Sequence, residues 1–132
     1  MDLTTPYAFG KTGDMSCTEA QQKVRDELSK EGFGVLTEID ISKKFAEKLQ
    51  KEFREYIILG ACNPSLAYEA MSAEINIGVM LPCNVVIYTR DDGKTAVVFM
   101  DPIQRFYSLG NLDIEEFGIK VNEILERVLE AI

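Results

Sequence analysis

Residues 83–101 read CNVVIYTR, then DDG, then KTAVVFMD. Two runs rich in Val, Ile, Tyr and Phe, joined by a short turn that ends in glycine, close as a β-hairpin, since branched and aromatic side chains fit a pleated surface and Gly suits the turn. This part of the chain is therefore committed to an antiparallel pair. A turn centred on Asp92 makes partners of residues whose numbers sum to about 184 or 185. Cys83 then stands opposite Asp101 or Pro102, at the end remote from the turn.

Around the hairpin, strand-like and helix-like segments alternate. Residues 7–13 (YAFGKTG) read as a first strand and residues 15–32 as an amphipathic helix, with Ala20, Val24 and Leu28 at helical spacing. Ser16 with Glu19 has the form of a capping box, and Gly32 sits where a helix ends. FGVLTEID (33–40) is a second strand, and 41–53 a second helix with Phe45, Leu49 and Phe53 on one stripe. EYIILGAC (55–62) is a third strand whose apolar run suggests burial on both faces or under a helix. Asn63 caps a third helix with Pro64 at its first position. INIGVMLP (75–82) is irregular, PIQRFYSLGN is a loop or short helical turn, and 112–132 is a long terminal helix. Ile114, Phe117, Val121, Ile124, Leu125 and Val128 give that helix its core stripe.

With 132 residues, the chain is expected to form one domain over its whole length. It carries 22 acidic against 14 basic residues, a net charge of −8. A chain that binds nucleic acid needs a basic face, and here Lys43, Lys44, Lys48 and Lys51 are interspersed with glutamates on a solvated surface. Nucleic acid is therefore not expected as a partner. The start, MDLTTPYAFG, lacks the basic and apolar parts of a signal peptide, and no run reaches membrane-span length, so a cytoplasmic location with no membrane partner is expected. Three cysteines cannot all pair within one chain, which predicts free thiols.

Those thiols are the main chemical candidates. Cys62 precedes a helix start, where unpaired N–H groups and the helix dipole favour a thiolate. The bland alternative is a small buried apolar residue. Cys62 and Cys83 could form a redox dithiol or a sulfur-handling site. Metal is the weakest reading, because the chain has no histidine and structural zinc wants four N or S ligands. No cofactor motif is present. Asp40 reads as a cap shared with Ser42. Tyr68, Tyr88 and Tyr107 read as rim or core aromatics, Met71, Met80 and Met100 as gap fillers, and Cys17 as structural. The pattern leaves the sense of the third and fourth strands open: parallel separates Cys62 from Cys83, whereas antiparallel gathers Cys62, Cys83 and Asp101 on one rim.

The run GFGVLTEIDI, the Gly-Ala-Cys-Asn-Pro block (60–64), the Leu-Pro-Cys-Asn block (81–84) and Asp101-Pro102 resemble, in order, the bacterial and archaeal family called domain of unknown function 302. The resemblance implies an α+β fold similar to the TATA-box-binding-protein-like class: a curved antiparallel β-sheet with helices packed on one face and a long C-terminal helix, assembled as a homodimer. It implies no activity. On the antiparallel reading, the expected site holds Cys62 as nucleophile, Cys83 as second thiol and Asp101 as orienting carboxylate, with Asn63 and Asn84 binding a small molecule or a thiol or sulfur substrate. The competing expectation is a structural or interaction dimer with inert cysteines.

Overall fold

The computed structural model describes residues 1–132. In chain order the elements are β1 (Leu3–Thr5), β2 (Ala8–Gly13), α1 (Cys17–Lys30), β3 (Gly34–Asp40), α2 (Ile41–Leu49), β4 (Tyr56–Cys62), α3 (Pro64–Ala73), a 3-10 helix (Ile75–Met80), β5 (Cys83–Thr89), β6 (Thr95–Met100), α4 (Pro102–Tyr107) and α5 (Leu112–Ala131). The Ser16 hydroxyl accepts from the Glu19 amide to start α1. At its other end Gly32 adopts φ 80°, while the amides of Phe33 and Gly32 donate to the carbonyls of Leu28 and Ser29. That paired closure needs a left-handed residue, which glycine supplies without strain.

All six strands form one antiparallel sheet in the order β1-β2-β6-β5-β4-β3. The hairpin register is Val85 to Phe99 and Val86 to Val98, so each pair sums to 184, as expected. Directly paired residues point to the same side, which splits the sheet cleanly. Phe9, Leu59, Val85, Ile87, Val97 and Phe99 face α1 and α5 and are buried. From the helices, Leu28, Val24, Ile114, Val121, Leu125 and Leu129 complete the same core. Ile124, expected in the α5 stripe, is only partly buried at the core's margin.

The structure corrects four local expectations. β1 was not anticipated. It is short and exposed, and it pairs through Leu3–Gly10 and Thr5–Ala8. Helix α2 stops at Leu49 instead of Phe53, where Gln50 turns left-handed at φ 51°. Phe53 nonetheless meets Phe45 at 5.2 Å between ring centres. The segment read as irregular is largely the 3-10 helix, and the stretch after Asp101 is the true helix α4. For β4 the second of the two arrangements expected holds: helices cover one face, and on the other Ile58, with its neighbours Val86 and Val98, is not among the buried residues.

Candidate functional site: a cysteine rim and a tyrosine trough

Residues Cys62, Cys83 and Asp101 come to one rim because β4 runs antiparallel to β5. Ala61 pairs with Cys83, and the hairpin register carries Cys83 towards Asp101. Both thiols border one small void with Phe33, Asn63, Leu66 and Phe117. The thiols are free. The two thiols thus share a void that Asp101 does not line, and their chemistry differs from the activated thiol expected there. Burial pushes the Cys62 thiol up, not down. Cys83 is 3% exposed, and burial, with Cys62 beside it and Arg105 opposing, pushes it up to about 12.

The acid and amide partners are also occupied. Asp101 accepts from the amides of Ile103 and Gln104, which caps α4. Asn63 accepts from the Leu66 amide and caps α3. Asp40 caps α2 through Lys43 and accepts from the Ser42 hydroxyl, as read from the sequence. No group of three or more His, Cys, Asp or Glu is arranged to hold a metal ion. Cys17 is buried and its sulfur lies 3.3 Å from the Thr89 hydroxyl.

Because a raised thiol pKa keeps the nucleophilic form scarce, native-state alkylation at neutral pH is expected to spare Cys83 and to modify Cys62 slowly. The contribution of the buried Cys83 thiol is whole below the ordinary thiol range and is lost as pH climbs towards about 12. Peptide mass mapping after a timed alkylation checks the point, and fast Cys62 labelling would contradict it.

On the opposite side the sheet offers something the sequence did not announce. Its open face is built from Leu3 and Thr5, Ala8 and Gly10, Val98 and Met100, Asn84, Val86 and Tyr88, Tyr56 and Ile58, by the registers of the five ladders. None of these carries a charge. A hollow of about 360 Å³ on this face is lined by residues from β1 (Leu3, Thr4, Thr5) and also by Tyr56 of β4, although three strands lie between them. The sheet must curl to bring them together. Val86, Val98, Tyr7 and Tyr88 line the same trough.

Its aromatic wall is set by register. Tyr56 pairs with Tyr88, and their rings stack with centres 5.5 Å apart and planes 13° from parallel. Phe53 extends the row at 6.1 Å from Tyr56. Burial, then Tyr88 and Tyr7, push the Tyr56 phenol up, so it stays neutral. Asn84, expected to bind a ligand, lines an adjoining hollow on this face with Tyr7, Tyr56 and Val86. It lies away from the cysteines' void.

A family model described as domain of unknown function DUF302 matches the sequence over residues 9–132. The chain belongs to this family. The crystal structure of an uncharacterized conserved DUF302 protein from Bacillus stearothermophilus superposes with a TM-score of 0.88 at 23% identity, covering 94% of this chain and 96% of that one. At that identity the likeness establishes the DUF302 fold alone. No curated protein matches the chain. No helix is long and apolar enough to cross a membrane.

Proposed function

We propose that this DUF302 chain is a non-catalytic binding domain that takes a small molecule in the trough of its open sheet face. The observation that carries the reading is a sheet face whose own side chains are uncharged, hollowed to about 360 Å³ with the Asp2 carboxylate as the single charge on its lining, on a chain of net charge −8. A volume of this size falls at the low end of small-ligand pockets, which span about 300–1,000 Å³ and combine apolar walls with a few polar groups. The cysteines then act as small apolar residues that pack the sheet against the helices.

A thermal-shift screen of small molecules tests this. Any compound that binds the folded trough raises the melting temperature by mass action, with about 2.7 kcal/mol of stabilisation at a hundredfold excess over Kd. Val98→Arg, which puts a charge into the trough, is expected to abolish the increment produced by each hit. Hits that still stabilise this variant but fail with Cys62→Ser would overturn the reading.

Pairing with a second copy is the assembly we propose. Its support is the set of exposed apolar side chains on two neighbouring elements, Tyr68 and Met71 of α3 and Ile75 and Val79 of the 3-10 helix, Ile75 exposed by 80% and Val79 by 85%. A sedimentation mass of one chain would contradict it. The thiol reading, a redox or sulfur-handling pair at the rim of a cytoplasmic protein, draws support from Arg105, whose charge opposes the rise of Cys83. Burial is the larger influence and favours the binding domain.

A further inference from the structure

The trough has a chemical signature beyond being apolar. Tyr7, Tyr56 and Tyr88 all line it, and so does Asp2. The carboxylate of Asp2 is fixed by Thr12, with one oxygen accepting from the Thr12 amide at 2.9 Å and the other from the Thr12 hydroxyl at 2.6 Å. Those bonds hold the Asp2 carboxyl below its usual range, so it remains an anion. Among the ten residues lining the trough there is no lysine or arginine.

Three ligand classes can be compared on this chemistry. An anion finds a carboxylate and no lysine or arginine, and the N-terminal ammonium nearby acts on Asp2 itself. A hard metal ion wants six or more oxygens, and the trough offers one carboxylate already bonded to Thr12. An organic cation fits: its charge is attracted to the carboxylate and to the aromatic faces that the stacked Tyr56–Tyr88 pair and Tyr7 leave open to the trough, and its hydrocarbon surface suits Val86 and Val98. Ammonium ions bearing methyl groups gain most, since they cost little to desolvate.

We propose that the trough is a site for an organic cation of the quaternary or methylated ammonium class, with the three tyrosines as its aromatic walls and Asp2 as its counter-charge. This rests on the trough being the binding site and names what enters it. Negative charge over the rest of the surface would raise the local concentration of such a ligand.

The test uses choline as probe and its neutral carbon isostere, dimethylbutanol, as control, with the isotope-labelled full chain and the methyl signals of Val86 and Val98 as the readout. Choline is expected to shift those signals saturably and to bind about tenfold more tightly than the alcohol, the order of a desolvated cation–π contact. Tyr88→Leu should remove binding. Asp2→Asn, in an exposed segment outside the core, should weaken choline several-fold and leave the alcohol unchanged. Equal binding of the two probes would overturn the cation class while leaving the trough as a site. Silence from both probes, beside hits from the thermal screen that move the same signals, would also overturn the cation class alone. Silence from both, with no screening hit on this face, would overturn the trough reading as well.

Discussion

Phe99→Ala is expected to lower the unfolding free energy by about 3–5 kcal/mol, the cost of emptying a fully buried aromatic site that cannot collapse. Phe99 is 0% exposed and meets Phe9 edge-on, with ring centres 5.9 Å apart and planes at 87°. It lies on β6, in the middle of the sheet, between β2 and β5. Against a total stability of about 5–15 kcal/mol for an ordinary domain, that is a large fraction. Urea unfolding measures it: the midpoint should fall with little change in slope. A loss below about 1 kcal/mol would mean that the helix-facing side of the sheet is not the core described above.

The second large effect concerns Gly10. A methyl group added there would collide with the Val97 carbonyl oxygen and approach the Val98 Cα to 2.8 Å. Both are backbone atoms of the adjacent strand, so nothing can rotate aside. Gly10→Ala is expected to cost at least about 1–3 kcal/mol, the usual range for overpacking. Because this contact lies where β2 crosses the curled open face, the variant should also disturb the trough. Gly34→Ala is the matched control, for its added methyl meets nothing within 4 Å. That change should stay within about 1 kcal/mol of the parent. If the two variants melted alike, the close approach of β2 to β6 would be refuted.

How much of this was legible in the sequence depends on the range of the interaction that decides each feature. Caps are local, and Ser16, Asp40 and Asn63 could be read because each side chain bonds to an amide three residues ahead. The hairpin register was readable for the same reason, since one turn fixes it. The end of α2 was not, because the left-handed residue is Gln50 instead of glycine. Strand β1 has only three residues, too few for a period to declare itself. Its partner supplies the signal.

The site divides in the same way. That Cys62 and Cys83 share a rim required only the antiparallel sense of β4 and β5, which the family resemblance implied and the pattern alone left open. Their raised thiol pKa values could not be read, because burial is a tertiary property and outweighs the helix end beside Cys62. The trough was invisible for a further reason. Tyr7, Tyr56 and Tyr88 are far apart in sequence, and only the Tyr56–Tyr88 register and the curl of the sheet bring them together. Tyr88 read as a rim or core aromatic, and Tyr56 gave no signal of its own.

The most direct measurement is amide and methyl shift mapping of the full chain against the stabilising compounds from the thermal screen. If the open sheet face is the binding surface, the perturbed signals will cluster on Tyr7, Tyr56, Val86, Tyr88 and Val98, with Cys62, Cys83 and Leu66 unmoved. Perturbation centred on Cys62 and Cys83, with the tyrosine face silent, would contradict the account and return the function to the thiol rim.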